Sequence, residues 1–202
     1  MEIIRTKNQK ERVFEIFEHA FISSPGMNWM LRNRNSERGK RWIINLMFHE
    51  GISQKGAFIT SDNNGAVLFF QVQKKAFTPL NIFRTLYILG FVTGIKNGIR
   101  ALRYKKMVAT IRPKTGWLGL LVATDRTAEG SGAAFEIKRE MFRLADESNE
   151  CIYVETTVPR VRTLYKAAGY IEYAEMQHPY ADLKIWFFRR DPFTYSRKKS
   201  NV

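Results

Sequence analysis

The hydrophobic pattern of the N-terminal quarter of the chain predicts two amphipathic helices. The first covers residues 8–22, and its apolar positions recur at helical spacing: Val13, Ile16, Phe17 and Phe21. The Ser-Ser-Pro-Gly sequence at 23–26 then ends this helix, because proline and glycine interrupt helices. The second helix is predicted from about Ser36 to Glu50, and it carries the apolar residues Trp42, Ile43, Leu46 and Met47.

The middle of the chain has the pattern of a hairpin followed by an interrupted helix. Two short strands are predicted near 56–60 and 66–72, and the Ser-Asp-Asn-Asn-Gly sequence between them suits a hairpin turn. Residues 79–107 have helical spacing of apolar residues. A single long helix is disfavoured there by three glycines, Gly90, Gly94 and Gly98.

The C-terminal half alternates strands and helices. An apolar strand at Trp117 to Thr124 leads through a loop at 125–132 into a helix at 133–147, whose buried stripe is predicted to be Ala134, Ile137, Met141, Leu144 and Ala145. A strand at 151–156 and a helix at 159–168 follow. Pro159 suits the first turn of that helix, and Gly169 suits the position after its end. Two final strands, at about 170–176 and 183–189, are joined across His178 and Pro179.

Length and composition fit one globular domain. The 202 residues are enough to bury a core, and we expect one domain at 1–195 followed by a basic, disordered tail at 196–202. Cys151 is the single cysteine, so no intramolecular disulfide can form. The N-terminus lacks a signal-peptide pattern, and the longest apolar run, 86–95, is too short for a membrane span. We therefore predict a soluble, cytoplasmic protein.

Positive charge is concentrated in one long segment. The formal net charge is +14, and no acidic residue occurs from Asn63 to Thr124. The same segment contains ten basic residues: Lys74, Lys75, Arg84, Lys96, Arg100, Arg103, Lys105, Lys106, Arg112 and Lys114. Such a field attracts anions, which include phosphorylated cofactors, nucleic acids and anionic membranes. A solvated basic face is an equally good interpretation of the composition alone.

The strongest chemical signal is the glycine-containing loop between the apolar strand and the helix at 133–147. Backbone N–H groups at a helix start have no intrahelical acceptor, and glycines at 130 and 132 let a phosphate approach them closely. The residues around the glycines exclude a Walker loop, a Rossmann fingerprint and a hydrolase nucleophile elbow. The three histidines have no metal-ligand spacing, so no metal site is predicted: His19, His49 and His178.

A second motif follows about 30 residues later, where Leu164, Tyr165 and the sequence up to Gly169 and Tyr170 end a helix. The loop at 127–132 resembles the Arg/Gln-x-x-Gly-x-Gly/Ala motif of the GNAT acetyltransferase superfamily, and the helix end resembles its Leu-Tyr-x-x-x-Gly-Phe/Tyr motif. The order and spacing of both agree over about 117–175. The resemblance implies an α/β (α+β) fold with a mixed, mostly antiparallel sheet that is splayed at its central strand and flanked by helices.

The resemblance also implies a function and a set of site residues. The expected activity is acetyl transfer from acetyl-coenzyme A to an amine, with Tyr165 as general acid for the departing thiolate. The central strand would contact the pantetheine arm, and an N–H near Val122 would polarise the thioester carbonyl. The full set of expected cofactor-binding residues is Leu120, Leu121, Val122, Thr127, Ala128, Glu129, Gly130, Ser131, Gly132, Ala133, Val161 and Leu164.

The identity of the general base is open, and three residues differ from the family motifs. Glu155, at the end of its strand and expected to face the cleft, is the first candidate base, although a carboxylate there can equally cap the next helix. Thr127, Ala128 and Val161 stand where the family commonly has Arg or Gln, Gly and Asn. Arg126 is a hypothetical substitute for the missing positive charge. Two other functions therefore remain: binding of acyl-coenzyme A or a partner without turnover, and nucleic-acid binding through 63–124.

Overall fold

The structure is a computed structural model of the 202-residue chain. It describes residues 1–22, 24, 26, 29, 31, 36–74, 83, 86–87, 90, 92–128 and 130–193. The expected disordered tail and much of the expected helix before Gly94 lie outside these residues. Within the described part of the chain, no helix is long and apolar enough to cross a membrane.

Five α-helices are described, and side-chain caps define where the first two begin. Their bounds are α1 Lys7–Phe21, α2 Glu37–Ser53, α3 Ile95–Ile111, α4 Ala133–Ser148 and α5 Pro159–Ala167. At the start of α1, the Thr6 hydroxyl accepts from the Gln9 N–H while the Gln9 side chain accepts from the Thr6 N–H. This reciprocal pair satisfies two of the N–H groups that a helix start leaves without partners. Ser36 caps α2 by accepting from the Gly39 N–H.

The strands form one seven-stranded sheet in the order β1-β2-β3-β4-β5-β7-β6. Their bounds are β1 Glu2–Ile3, β2 Ala57–Ile59, β3 Gly65–Gln71, β4 Trp117–Thr124, β5 Ile152–Thr156, β6 Ile171–Gln177 and β7 Lys184–Arg190. Among the strands that the structure describes, only β4 and β5 pair in parallel, and the other five neighbouring pairs are antiparallel. The predicted fold class, a mixed and mostly antiparallel sheet flanked by helices, is confirmed.

Helices cover both faces of the sheet. On one face, α1 and α2 pack against β2, β3 and β4 through buried side chains such as Phe17, Ile44 and Leu68. The same face of β7 packs against α3, where Val108 contacts Ile185 and Phe187. The opposite face carries α4 and α5, and its core includes Ile137, Met141, Val154, Tyr170 and Phe188.

The central strands β4 and β5 separate after three residue pairs. Trp117, Leu118 and Gly119 pair with Ile152, Tyr153 and Val154, and the parallel ladder ends there. On its other side, β4 has a β-bulge: Leu121 pairs with Leu68 and Gly119 with Phe69, so Leu120 has no partner in β3. A bulge bends its strand and increases the local twist. From Leu120 onward β4 therefore diverges from β5, as the expected splay requires.

Several element-level expectations were wrong in detail. β1 was not predicted, because two residues give no periodic signal, and α3 extends to Ile111 instead of ending near 107. In α2 the buried apolar residues are Ile43, Ile44 and Phe48, and Trp42 is 39% exposed. In α4 the buried alanine at the first turn is Ala133, because Ala134 lines the cavity described below.

Gly119 marks the point of separation, and its missing side chain allows the close packing there. A Cβ built at this position would lie 2.9 Å from Val154 Cγ1 and 3.2 Å from Met141 Cε. We predict that Gly119→Val lowers the free energy of unfolding by about 2 kcal/mol, because overpacking a close contact forces its neighbours apart. Urea denaturation measures the change. Thr124→Val, at an exposed site on the same strand, is the control and should stay within about 0.5 kcal/mol of wild type.

Candidate functional site

An apolar cavity occupies the gap between the diverging strands on the side of α4 and α5. Its volume is about 500 Å³. The lining residues come from β4, β5, α4, α5 and the segment after α5: Val122, Ala123, Thr124, Ala134, Phe135, Ile137, Lys138, Met141, Val154, Val161, Leu164, Tyr165, Ala168 and Tyr170. The volume falls in the range of small-molecule sites, and such sites combine apolar walls with a few polar groups. Here the charged group is Lys138 and the phenols are Tyr165 and Tyr170.

The start of α4 presents backbone N–H groups at the rim of this cavity. Gly130 and Gly132 adopt φ values of +88° and +85°, which favour glycine. The N–H groups of Gly132, Ala134 and Phe135 have no acceptor among the residues that the structure describes. Helix-start N–H groups without acceptors, together with the helix dipole, form a site for an anion. The geometry and chemistry of this turn therefore suit a phosphate.

Other N–H groups of the same loop are already engaged within it. Asp125 accepts from the Thr127 N–H at 2.9 Å, and its backbone carbonyl accepts from Ala128 at 3.3 Å. Ser131 donates its N–H to the Ala128 carbonyl at 3.1 Å, and its hydroxyl accepts from Ala133 at 3.3 Å. The available donors thus lie at Gly132 and the first turn of α4, later in the chain than the expected span from Thr127. Glu129, also expected to bind the cofactor, lies outside the described residues.

Asp125 fixes this loop to the rest of the fold. It is buried, its Oδ1 also accepts from the Thr127 hydroxyl at 2.8 Å, and its Oδ2 forms an ion pair with Arg12 of α1. Arg12 in turn donates to the Asn63 carbonyl in the β2–β3 turn at 3.0 Å. The Thr127 N–H and hydroxyl and the Arg12 guanidinium, acting against burial, lower the pKa of Asp125 to about 2. The carboxylate is therefore ionised at neutral pH and joins α1, the β2–β3 turn and the loop.

Tyr165 lies in the wall of the cavity, packed between Tyr170 and Phe188 with ring centroids 5.4 Å from each. Burial, with a smaller contribution from the charge of Glu155, raises the pKa of Tyr165 to about 12. The phenol is therefore neutral at physiological pH and keeps its O–H available as a donor. Its hydroxyl has no hydrogen-bond partner among the described residues.

Glu155 was expected to face the cleft, but it does not line this cavity. Side chains alternate along a strand, and Val154 points into the cavity while Glu155 lies on the face that carries α3. Its two carboxylate oxygens accept from one guanidinium, that of Arg112, which lies just after α3 and whose Nε donates at 2.9 Å. Burial lowers the pKa of Arg112, but the charge of Glu155 outweighs it and raises that pKa overall. The ion pair engages both oxygens that a general base would use.

A buried aromatic cluster lies on the same face as Glu155 and was not predicted. Trp29 and Tyr104 both contact the ring of His178, with centroid distances of 4.4 and 4.6 Å, and Tyr180 completes the cluster. His178 Nδ1 accepts from the Tyr180 N–H at 3.1 Å, which assigns the ring hydrogen to Nε2. That Nε2 is buried and has no partner among the described residues, and burial lowers the pKa of His178. The cluster thus contains a neutral imidazole with an unused donor.

The remaining expected site residues divide between the two faces of the sheet. Val122, Val161 and Leu164 line the cavity. The side chains of Leu120 and Leu121 instead pack toward α1 and α2, because the bulge at Leu120 places both on that face. Only their backbone can reach the gap. No group of three or more potential metal ligands occurs in the described part of the chain.

Comparison with known proteins identifies the fold. Neither a family model nor a curated protein sequence matches this chain. Solved structures do match, among them one from Corynebacterium glutamicum described as histone acetyltransferase HPA2 and related acetyltransferase, with a TM-score of 0.64, 17% identity and coverage of 95% of this chain and 96% of that one.

Two other solved structures also match over more than nine-tenths of both chains. The C-terminal condensation domain of Ebony, in complex with beta-alanyl-dopamine, has a TM-score of 0.62 and 14% identity over 93% of this chain and 96% of its own. A putative acetyltransferase of the GNAT family from Desulfovibrio desulfuricans has a TM-score of 0.54 and 12% identity over 94% and 95%. The chain therefore has the GNAT N-acetyltransferase fold, as the two sequence motifs indicated.

The contacts of Asp125 lead to a prediction about how stability depends on pH. Since the pKa of Asp125 is lowered to about 2, its stabilisation is complete above the unfolded-state value near ~3.9 and is lost as the pH falls toward about 2. Asp125→Asn should lower the free energy of unfolding by about 2 kcal/mol at pH ~7, and this difference should shrink toward zero near pH ~2.

Chemical denaturation of both proteins across this pH range measures the difference. Asp182→Asn removes an exposed carboxylate and serves as the matched control, with an expected change within about 0.5 kcal/mol at every pH. A difference for Asp125→Asn that is the same at all pH values would show that its charge does not stabilise the loop.

Proposed function

We propose that this chain is an acyltransferase that moves the acetyl group of acetyl-coenzyme A to an amine. One observation carries the proposal: the gap between β4 and β5 connects an apolar cavity to the free N–H groups at the start of α4. An elongated ligand with an anionic end and a less polar arm fits this combination. The GNAT fold supports the same interpretation, because the solved structures that share it include acetyltransferases.

In this proposal the loop and the cavity bind different parts of the donor. The N–H groups of Gly132, Ala134 and Phe135 bind the pyrophosphate, and Lys138 at the cavity wall adds positive charge. The pantetheine arm lies along the edge of β4 that faces the gap, where strand hydrogen bonds to β5 end at Gly119. Val161 and Leu164 of α5 close the apolar side. No metal takes part in the proposed reaction.

Two groups of this chain are proposed to stabilise charge during acyl transfer. Bound acetyl-coenzyme A supplies the thioester that an amine attacks. A backbone N–H near Val122 donates to the carbonyl oxygen as negative charge develops there. Tyr165 donates its O–H toward the departing sulfur. A phenol with a pKa of about 12 is a weaker acid than a thiol of about 8.5, so Tyr165 acts mainly by hydrogen bonding to the thiolate.

The acceptor amine is assigned to the opposite face of the sheet. That face carries the aromatic cluster of Trp29, Tyr104 and His178, which offers apolar contact and one unused buried donor. The cluster is built from Trp29, from Tyr104 of α3 and from the β6–β7 connection. Because Arg112 engages both oxygens of Glu155, we propose that the amine proton leaves through water and that Glu155 positions Arg112.

A binding domain without turnover is the alternative, and two observations favour it. Thr127, Ala128 and Val161 depart from the residues that the family commonly uses, so side-chain contacts to the cofactor are missing. In addition, Asp125 already accepts the N–H of Thr127, which removes one donor from the expected phosphate site. Such a domain would bind acyl-coenzyme A or a partner and release no thiol.

One pair of measurements distinguishes the two functions. Isothermal titration with acetyl-coenzyme A measures binding, and a thiol-release assay over a broad panel of amines measures turnover. The acyltransferase proposal requires both signals. Binding without thiol release across the panel supports the alternative, and absence of binding contradicts both the acyltransferase and a domain that binds acyl-coenzyme A.

The role of Tyr165 generates a specific prediction. Tyr165→Phe should reduce kcat by roughly 10- to 100-fold, because the variant loses the donor to the thiolate, while the dissociation constant for coenzyme A changes by less than about twofold. The reduction should be uniform from pH ~6 to ~10, since a phenol with a pKa of about 12 does not ionise in that range.

Steady-state kinetics with titration calorimetry test this prediction. Tyr170→Phe is the matched control, since it removes the neighbouring phenol of the same cavity and should leave kcat within about threefold. An unchanged kcat in Tyr165→Phe would remove Tyr165 from the mechanism.

A further inference from the structure

The solvent-exposed face of α3 carries an apolar stripe along its first two turns. Ile95, Ile99 and Leu102 recur at i, i+4 and i+7, so they form one stripe along the first two turns. Their exposed fractions are 77%, 47% and 52%, which is unusual for three neighbouring branched side chains. Two more exposed apolar residues, Phe83 and Leu86, occur earlier in the same acid-free segment.

Basic residues border this stripe. Lys96 and Arg103 lie on one side of it along the helix, Lys105 lies on the other, and Lys106 continues it by one turn. All four side chains are exposed, and none has a carboxylate partner within the part of the chain that the structure describes. Since no acidic residue occurs from 63 to 124, this surface has a positive field that its own segment does not neutralise.

The inner face of α3 is already accounted for by packing within the fold. Val108 is buried against Ile185 and Phe187, and Tyr104 contacts the ring of Trp29. Asn97 donates to the Leu31 carbonyl at 3.2 Å. The helix is therefore held by one face, and its apolar stripe is not needed to attach it to the sheet.

We propose that the outer face of α3 binds the surface of an anionic membrane. In this orientation the helix lies in the plane of the interface, its Ile95, Ile99 and Leu102 side chains enter the acyl boundary, and its lysines and arginines contact anionic headgroups. Long basic side chains can bury their carbon stems while their charged ends reach the headgroups. The binding is peripheral and independent of the proposed acyl transfer.

The arrangement of charge favours a lipid surface over two other occupants. A second copy of the chain packed through a twofold axis would place like charges from both copies next to one another, which costs free energy. A nucleic acid would use the cations, but it offers the isoleucine and leucine stripe no apolar surface of matching shape. An anionic bilayer satisfies the cations and the apolar stripe together.

Co-sedimentation with lipid vesicles tests the proposal on the full chain. Wild-type protein should pellet with phosphatidylcholine vesicles that contain phosphatidylserine, pellet poorly with phosphatidylcholine alone, and dissociate as salt is raised. The variant Ile95→Gln, Ile99→Gln, Leu102→Gln should partition at least roughly tenfold less. The variant Lys96→Gln, Arg103→Gln, Lys106→Gln should partition on the order of 100-fold less.

Two matched variants control for charge and apolarity elsewhere on the surface. Arg5→Gln, Lys7→Gln, Lys10→Gln removes the same number of exposed cations at the N-terminus, and Ile3→Gln, Ile171→Gln, Phe193→Gln removes three exposed apolar residues. Both should retain partitioning within about threefold of wild type. Circular dichroism and thermal unfolding verify that each variant is folded.

Several results would overturn the proposal. These are failure of wild-type protein to pellet, equal binding to both vesicle types, or unchanged partitioning of either α3 variant. A dimer that the apolar variant dissociates, without vesicle binding, would assign the stripe to self-association. Salt-sensitive retardation of DNA or RNA without vesicle binding would assign the cations to nucleic acid.

Discussion

The early end of the parallel pairing between β4 and β5 is the constraint on which the rest of the site depends. Paired strands satisfy each other's backbone N–H and C=O groups by hydrogen bonding. Where two strands separate, these groups need another hydrogen-bond partner. Here the ladder ends at Gly119 and Val154, and the bulge at Leu120 turns β4 away from β5. The space that opens is lined by apolar side chains from both helices on that face. The cavity is thus a consequence of the sheet geometry.

Two ion pairs hold the strands on either side of this gap to the face of the sheet that carries α1, α2 and α3. Asp125 and Arg12 tie the loop before α4 to α1, and Glu155 and Arg112 tie the end of β5 to the segment after α3. Both carboxylates occur at strand ends, and the sequence analysis suggested a catalytic role for Glu155. In each case the partner arginine lies far away in the chain, and the contact links two elements. We therefore interpret these carboxylates as positioning groups and give the proposed chemistry to backbone N–H groups and to Tyr165.

Local patterns predicted the elements that surround the site, but long-range contacts decided its details. The bounds of β4, the loop and α4 followed from apolar periodicity, and the splayed sheet followed from the family resemblance that the two motifs carry. The face of the sheet on which the Glu155 side chain lies could not be predicted in this way, because it depends on the strand register and on the contact with Arg112. The aromatic cluster could not be predicted either. Trp29, Tyr104 and His178 are widely separated in sequence, and only the folded chain brings them into contact. Helical spacing of apolar residues was predicted for this part of the chain, but it did not show that the outer face of α3 is apolar at Ile95, Ile99 and Leu102.

The central claim is that free backbone donors at the start of α4 and along β4 bind coenzyme A. A titration of ¹⁵N-labelled protein with coenzyme A, followed by NMR, observes these N–H groups directly. The account predicts saturable shifts that are largest at Val122, Gly132, Ala134 and Phe135, with little change at residues of α1. Saturable binding that leaves those four amides unshifted, or no binding at all, would contradict it.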